Sequence, residues 1–172
     1  MDTNLSEVKH SEIEFSELIE QNQKIIHRIC RIYTSNSMDS QDLFQEILLQ
    51  LWKSYGSFRG NSKFTTWMYR VALNTALSLF RKSKKNVVTQ EFDNASYTIS
   101  ESLEEAEKEE QIELLYRIIK RLPEVERAFI LLYLDNLSYK EISDTMGITE
   151  INCRVKLNRI KNKLKELMTQ DE

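Results

Sequence analysis

The sequence contains few of the residues that interrupt helices. Its 172 residues include one proline and three glycines, while leucine, isoleucine, glutamate and lysine are abundant. It has no apolar run long enough to span a bilayer, and its N-terminus lacks the basic and apolar segments of a signal peptide. We therefore expect an almost entirely helical, cytoplasmic protein with no membrane insertion of its own.

Cysteine and histidine are also scarce. Cys30 and Cys153 are far apart and belong to no CxxC or Cys/His motif, and only two histidines are present. Both cysteines are predicted to be buried as small apolar residues in a reducing compartment. No nucleophile with its base, phosphate loop or metal cluster stands out. We expect no enzymatic activity and no cofactor.

The net charge of −3 is unevenly distributed along the chain. Residues 1–52 carry −5, residues 53–90 carry +8, residues 91–113 carry −8 and residues 114–172 carry +2. At physiological salt the screening length is about 8 Å, so local sign rather than total charge determines where phosphates can bind. The pattern predicts two basic patches separated by an acidic segment.

The predicted domains follow this charge pattern. A polar tail, residues 1–10, is expected to be disordered, and a helix with a capping box at Ser11 opens an N-terminal domain of residues 11–86. An acidic linker, residues 87–109, leads to a C-terminal domain of residues 110–172. The end of the linker, from about Leu103, already has helical spacing.

A helix from about Ser40 to Lys53 has two distinct faces. One face is apolar and must be buried. Asp39 is expected to cap this helix. Asp42 is expected at its third position, where the free backbone N–H groups and the helix dipole favour negative charge. The second face is either a solvated acidic surface or a docking surface for a partner helix. It carries Asp42, Gln45, Glu46 and Leu49.

The next segment, from Tyr55 to Trp67, interleaves aromatic and cationic residues and contains two of the three glycines. Rings can stack on unpaired bases while cations hold phosphates, so this composition suits single-stranded nucleic acid. Alternatively the rings are core and the cations are solvated. The helix that follows, from Thr65 to about Lys85, is predicted to present a polar, cationic ridge. This ridge carries Arg70, Asn74, Ser78 and Arg81.

The C-terminal domain has clear helix boundaries. Pro123 suits the first turn of one helix, and a capping box of Ser138 and Glu141 opens a short second helix. Gly147 ends that helix and Thr149 caps the last one. Two helices joined by a short, glycine-containing turn indicate a helix-turn-helix.

The last helix, from Glu150 to about Met168, is basic. Its buried side is predicted to carry Cys153, Leu157, Ile160 and Leu164. The opposite side is predicted to carry Asn152, Lys156, Arg159 and Lys163, with Arg154 adjacent. As a recognition helix it would place cations on phosphates and guanine edges in the major groove, with Asn152 able to read a base. The alternative is a solvated amphipathic helix.

The N-terminal half resembles region two of a bacterial RNA polymerase sigma factor of the extracytoplasmic-function class. The matching residues are Asp-Leu-Phe-Gln-Glu at 42–46, Leu51-Trp52, Phe58-Arg59-Gly60, Phe64-Thr65-Thr66-Trp67, Tyr69-Arg70 and Asn74. The C-terminal half resembles region four of the same family. Its matching residues are 121–127 (Arg-Leu-Pro-Glu-Val-Glu-Arg), 137–142 (Leu-Ser-Tyr-Lys-Glu-Ile) and 147–149 (Gly-Ile-Thr).

The resemblance implies an all-α, two-domain alternative sigma factor that directs promoter recognition, promoter melting and transcription initiation. Its implied partners are core RNA polymerase, promoter DNA as duplex and melted strand, and an anti-sigma factor. The polymerase-binding residues would be Asp39, Asp42, Gln45, Glu46 and Leu49. The start-site-proximal promoter element would be bound by Arg59, Asn61, Ser62, Lys63, Trp67, Arg70, Asn74 and Arg81. The distal element would be read by Asn152, Arg154, Lys156, Arg159 and Lys163.

The recognition helix departs from the usual family pattern. Asn152, Cys153, Arg154 and Val155 stand where family members usually have a small or hydroxylated residue, valine, a cation and serine, so a promoter sequence does not carry over. Two rival functions remain open. A conventional helix-turn-helix repressor or activator, dimerising through its N-terminal helices, leaves the aromatic and basic segment unexplained. The second rival is a helical adaptor whose acidic and basic faces bind only proteins, and salt-independent behaviour toward DNA would favour it.

Overall fold

The structure, a computed structural model, describes residues 2–86 and 103–170, with side chains described for 11–84 and 107–170. Within these ranges the chain forms seven helices and no strand, which confirms the all-helical prediction. The predicted linker residues 87–102 lie outside the described ranges. The helices are α1 (Asp2–Tyr33), α2 (Ser37–Tyr55), α3 (Phe64–Asn86), α4 (Leu103–Ile119), α5 (Glu124–Leu134), α6 (Tyr139–Met146) and α7 (Glu150–Thr169).

Two helices begin earlier than the sequence predicts. α1 starts at Asp2 rather than at Ser11; no proline or glycine precedes Ser11, so nothing stops the helix from extending past the predicted capping box. α2 starts at Ser37 because Asn36 caps it: the Asn36 side chain accepts a hydrogen bond of 2.8 Å from the Asp39 backbone N–H. Asp39 is therefore the third residue of α2 and Asp42 the sixth, so the predictions of Asp39 as the cap and of Asp42 at the third position are wrong.

The N-terminal domain is a bundle of α1, α2 and α3. Each helix contributes one apolar stripe to a shared core, as their periodicity predicts. The Cys30 thiol lies in this core, and burial raises its pKa to about 12. The fully buried residues include Ile26, Ile29, Ile47, Leu51, Met68, Ala72 and Ala76.

The C-terminal domain consists of α4 to α7. The predicted capping box is confirmed, since Ser138 Oγ accepts from the Glu141 N–H and the Glu141 carboxylate accepts from the Ser138 N–H. Gly147 ends α6 with φ +69°, and Thr149 caps α7. Pro123 directly precedes α5 rather than lying in its first turn. The predicted helical end of the linker is confirmed, because α4 begins at Leu103.

The two domains pack against each other. α5 contacts α1 and α3, α6 contacts α3, and α4 contacts α1. The buried apolar residues of both domains form one cluster. Cys153 is buried in it, as predicted for both cysteines. None of the helices in the described ranges is long and apolar enough to cross a membrane.

Gly147→Ala is expected to lower the free energy of unfolding by about 1 kcal/mol. The residue has a left-handed backbone, φ +69°, and an added Cβ would have no atom within 4 Å, so the cost is backbone strain alone. Gly56→Ala is the matched control, because Gly56 is equally open but has φ −61°, a conformation that any residue adopts. Urea denaturation followed by circular dichroism measures both. An equal loss in the two variants would contradict the expectation.

Candidate functional site

The predicted polymerase-binding residues lie along one strip of α2. Most of them are exposed, and Leu49 is 44% exposed despite being apolar. Glu46 is half-buried, and its carboxylate accepts a hydrogen bond of 2.7 Å from Gln50 Nε2. The strip therefore combines acidic side chains with one exposed leucine. The exposed members are Asp39, Asp42, Gln45 and Leu49.

A shallow groove of about 300 Å³ joins this strip to α3. Glu46 and Gln50 line it from α2, and a second groove of about 320 Å³ continues along α3. Sequence analysis did not assign Gln50, Thr75 or Lys82 to a site, because only the packing of α2 beside α3 brings them to the grooves. The residues of α3 that line the two grooves are Asn74, Thr75, Leu77, Ser78, Leu79, Arg81 and Lys82. The polar, cationic side of α3 is thus contiguous with the strip on α2.

The aromatic residues before and within the start of α3 pack on one another. The centre of the Trp67 ring lies 5.2 Å from that of Phe58, 5.4 Å from that of Phe64 and 6.3 Å from that of Tyr55. All four are half-buried, and Phe15 of α1 lies 5.0 Å from Tyr55. These contacts favour the alternative in which the rings hold the loop in place. Base stacking on Trp67 stays a prediction.

The polar residues of this loop face solvent. Gly60 has φ +71°, which allows the chain to turn before α3. Four predicted promoter-binding residues flank it in an exposed stretch. These are Arg59, Asn61, Ser62 and Lys63.

Two of the predicted promoter-binding cations contact α6 of the C-terminal domain. Lys63 Nζ lies 2.8 Å from Glu141 Oε1. Arg70 donates a hydrogen bond of 2.6 Å from Nη2 to the backbone oxygen of Asp144. The cationic surface of the N-terminal domain is therefore covered in part by α6, which sequence analysis did not foresee.

A third cation contacts the start of α5. Arg81 Nε lies 3.5 Å from Glu124 Oε1, and Lys84 Nζ lies 4.0 Å from Glu124 Oε2. The Glu124 carboxylate also accepts from its own backbone N–H at the helix start, and this bond, with Lys84 and Arg81, lowers its pKa. Glu124 is thus held ionised between two basic residues of α3.

Glu141 is the most strongly perturbed carboxylate in this contact. Its hydrogen bonds with Lys63 Nζ and with the Ser138 N–H and hydroxyl lower its pKa to about 2. The lowered pKa means that the ionised form contributes stability above the pKa of the unfolded chain, about 4.3. This contribution is lost as the pH falls from about 5 towards about 2.

We expect Glu141→Gln to flatten this part of the pH dependence of stability. Glutamine can still fill the capping box at this position, so the variant removes the titration while keeping the cap. The test compares the free energy of unfolding of wild type and variant from pH 7 to pH 2. Lys63→Met is the control that separates the ion pair from the cap, and it should remove only part of the slope. Parallel curves for wild type and Glu141→Gln would contradict the assignment.

α7 carries its predicted cations on flanks rather than on the side opposite the core. Lys156 Nζ lies 5.6 Å from the centre of the Phe129 ring in α5, and Lys163 Nζ lies 3.1 Å from Glu126 Oε2. The prediction that these residues lie opposite the buried side is therefore wrong. Each of them comes one position before a buried residue, and consecutive residues of a helix are rotated by only about 100° from each other. Asn152 and Arg159 share the spacing of this flank.

Arg154 lies on the other flank of α7. Its guanidinium carbon is 4.7 Å from the centre of the Tyr139 ring, and its Nη2 is 2.7 Å from Glu150 Oε1. Both contacts lie within the helix-turn-helix and hold the arginine at the exposed start of α7. That position is the end of a recognition helix that enters the major groove.

The outward centre of α7 is partly apolar. Ile151 is 76% exposed and Val155 is 48% exposed. With Asn158 and Asn162 they recur at i, i+4, i+7 and i+11, on the side away from the core. Sequence analysis noted Val155 only as a departure and missed the other three. They could have been identified from the sequence, because each lies about half a helical turn from one of the buried residues.

Two family models match the chain. "Sigma-70 region 2" matches residues 18–86, and "Sigma-70, region 4" matches residues 112–164. The first model covers α2, α3 and the loop between them, and the second covers α5, α6 and most of α7. The strip, the cationic groove and the helix-turn-helix therefore all lie within the matched residues.

Several curated proteins are similar over most of the chain. The RNA polymerase sigma-H factor of Pseudomonas aeruginosa is 33% identical over 134 residues, covering 72% of this chain and 69% of its own. The ECF RNA polymerase sigma-E factor of Escherichia coli is 33% identical over 147 residues, covering 77% of each. The sigma-E factor of Haemophilus influenzae is 29% identical over 171 residues, covering 90% and 89%.

Two solved structures share the fold. CnrH, in complex with the cytosolic domain of CnrY, aligns with a TM-score of 0.68 at 17% identity, over 94% of this chain and 91% of its own. The sigma factor RpoE of Bartonella quintana, in complex with the anti-sigma factor NepR, aligns with a TM-score of 0.68 at 18% identity, over 92% and 99%. Each alignment extends over both helical domains.

Proposed function

The chain belongs to the extracytoplasmic-function sigma factors of bacterial RNA polymerase, and on that premise we propose which of its surfaces does each part of the work. As a sigma factor it binds core RNA polymerase and promoter DNA and directs promoter recognition and transcription initiation; the family is not enzymatic. We assign the region-two role to residues 11–86 and the region-four role to residues 110–172. The chain acts in the cytoplasm, where the polymerase and the chromosome are.

The strip on α2 binds the polymerase. Asp42, Gln45, Glu46 and Leu49 would meet the clamp helices of the largest polymerase subunit. Support comes from the exposure of Leu49 one turn after Glu46, since an apolar residue beside acidic ones supplies affinity while the charges supply orientation in a helix-to-helix contact. Asp39 lies one turn earlier on α2 and would contribute at the edge of that contact.

The loop and α3 bind the start-site-proximal element and its melted strand. The observation that carries this assignment is the row of exposed polar and cationic side chains along the loop and α3, which continues to the strip on α2. A strand bound along α3 would therefore run directly beside the polymerase. Unstacking a base costs a few kcal/mol, which stacking and phosphate contacts in the loop would offset.

The start of α7 reads the distal element. Its flanking cations, with Arg154 and Arg159 on different flanks, would bind phosphates on both sides of the major groove. Between them, the exposed methyl groups of Ile151 and Val155 would meet apolar base edges such as the thymine methyl group. This helix would thus combine cationic positioning with an apolar readout.

An anti-sigma factor would control the chain. The proposal rests on two structural relatives that were solved as complexes: CnrH with the cytosolic domain of CnrY, and RpoE with the anti-sigma factor NepR. Affinity purification of the chain from its own cells, in the presence and absence of a stress signal, tests this. A small protein that co-purifies in stoichiometric amounts and blocks transcription is the expected result. Its absence under every condition would refute the proposal.

Replacing Arg59 and Asn74 with alanine tests the promoter assignment. Both residues are exposed, and neither makes one of the described contacts with the C-terminal domain, so the double variant changes the DNA surface alone. We expect promoter opening, measured by 2-aminopurine fluorescence with core polymerase present, to fall by about 10- to 100-fold. The matched control is Gln23→Ala/Lys24→Ala, which removes one amide and one cation from the exposed side of α1. Equal effects of the two double variants would contradict the assignment.

A further inference from the structure

Ile151 and Val155 form an exposed apolar pair at the start of α7. Ile151 is 76% exposed and Val155 is 48% exposed. They are four residues apart, so they lie on the same side of the helix, about 6 Å from each other along its axis. Cys153 and Leu157, which follow them by two residues each, are fully buried. The apolar pair therefore projects from the side of these two turns that is opposite the core.

The cations of the same two turns are held at the flanks by contacts within the domain. Arg154 Nη2 lies 2.7 Å from Glu150 Oε1, and the guanidinium carbon lies 4.7 Å from the centre of the Tyr139 ring. Lys156 Nζ lies 5.6 Å from the centre of the Phe129 ring. A guanidinium that reads a guanine edge would have to leave both of its partners. With α7 in the major groove, the flanks therefore face the phosphates of the groove walls and the apolar pair faces the base edges.

The apolar pair is rigid before any DNA binds. In a helix, isoleucine and valine have one strongly preferred χ1 rotamer, so their methyl groups occupy fixed positions. The start of the helix is also fixed, because Thr149 Oγ1 accepts a hydrogen bond of 3.3 Å from the Asn152 backbone N–H. Little conformational freedom remains to be lost when this surface meets a base, which favours selective binding.

The chemistry of the pair limits which feature of a base it can read. Aliphatic side chains neither donate nor accept hydrogen bonds, so they do not recognise the amino and carbonyl groups of base edges. The one methyl group in the major groove of unmodified DNA is the 5-methyl group of thymine. Cytosine presents a methyl group at the same place only when its carbon 5 is methylated. Against an unmethylated cytosine, the pair would cover a polar edge without giving it a partner.

We propose that Ile151 and Val155 read two 5-methylpyrimidines in the distal promoter element, and that 5-methylcytosine is accepted in place of thymine. The proposal rests on the proposed function of α7 as the reader of that element. It goes further, because recognition at two positions then depends on one methyl group each and not on the rest of the base. The separation of about 6 Å corresponds to roughly two base-pair steps of about 3.4 Å. Methylation of cytosine at these positions would strengthen the promoter.

The test uses the full chain assembled with core polymerase. Duplexes that it selects from a randomised pool define the distal element, which should contain thymine at two positions. Replacing both thymines with uracil removes only the methyl groups, and we expect binding about 10- to 15-fold weaker, or about fourfold for each methyl group. In the same duplex with cytosine at both positions, methylation of carbon 5 should tighten binding by about the same factor.

Two protein variants and one DNA control assign the effect to the apolar pair. Ile151→Ala/Val155→Ala should bind the thymine and uracil duplexes within about twofold of each other. Ile13→Ala is the matched control, because Ile13 is also an exposed isoleucine, at 60%, but lies on α1. It should keep the full difference between thymine and uracil. Uracil placed between the two promoter elements should change binding by less than about twofold.

Two results would overturn the proposal, and they differ in what else they remove. If the selected duplexes share no distal element, the assignment of α7 is wrong and the methyl readout fails with it. If an element emerges but neither uracil nor 5-methylcytosine changes the affinity, α7 still reads the element and the methyl readout alone is wrong. The same conclusion follows if Ile151→Ala/Val155→Ala keeps the full difference between thymine and uracil.

Discussion

Replacing Asp42 and Glu46 with alanine is expected to weaken binding to core RNA polymerase by about 100-fold. Truncating one member of a buried, hydrogen-bonded charge pair in an interface costs about 2 kcal/mol or more. Two adjacent truncations are not fully additive, so about 2.7 kcal/mol is the expected total. Neither residue is in the core, so the fold should be kept. Titration of the labelled chain with core polymerase, followed by fluorescence anisotropy, measures the change.

The control for this variant is Glu17→Ala/Glu20→Ala. It removes two carboxylates from exposed positions of α1, at the same change in net charge, and should alter the affinity by less than about threefold. A similar loss in both double variants would mean that total charge matters and the strip on α2 does not.

Phe129→Ala is expected to lower the free energy of unfolding of the C-terminal domain by about 3–5 kcal/mol. Phe129 is only 2% exposed and is the largest of the fully buried side chains. It lies in α5, which packs against α6 and α7, so its removal leaves a cavity beneath the helix-turn-helix. A domain with a stability typical of its size would be largely unfolded after such a loss. Urea denaturation followed by circular dichroism measures the change, and the variant should also fail to discriminate promoters.

Tyr133→Ala is the control for this substitution. Tyr133 lies one turn later on the same helix, and its replacement also removes an aromatic ring. Unlike Phe129, it is 38% exposed. Its ring contacts Lys161 of α7 at the surface. The expected loss is below about 1 kcal/mol. Equal losses at the two positions would contradict the assignment of Phe129 as the centre of this core.

The local features of the fold could be predicted from the sequence because each depends on neighbouring residues. The capping box of Ser138 and Glu141, the left-handed Gly147 and the cap at Thr149 act within one helical turn, and all three are confirmed. The cap at Asp39 was predicted wrongly because neighbouring residues alone do not distinguish two candidate caps. Asn36, three residues earlier, is an equally good cap, and only the path of the chain from α1 selects between them.

The docking of the two domains could not be predicted in this way. Arg28, Tyr69 and Asp135 come from α1, α3 and the end of α5, and no periodicity links residues so far apart in sequence. Similarly, the helical spacing of α7 identified its buried side, but it did not show which other helix packs beside each of its two flanks. The contacts of Lys156 and Lys163 with α5 depend on tertiary packing. The spacing therefore predicted which residues of α7 are buried, whereas it did not predict the partners of the exposed ones.

The most direct test of the account is transcription in vitro on a pool of promoter fragments. The reactions contain core polymerase alone, with the wild-type chain, or with Asp42→Ala/Glu46→Ala. We expect start sites that appear only with the wild-type chain and fade with the variant, and the sequences upstream of them would give the promoter elements that the chain recognises. No new start sites on a broad pool, together with specific duplex binding by the free chain, would contradict the account and favour a conventional helix-turn-helix regulator.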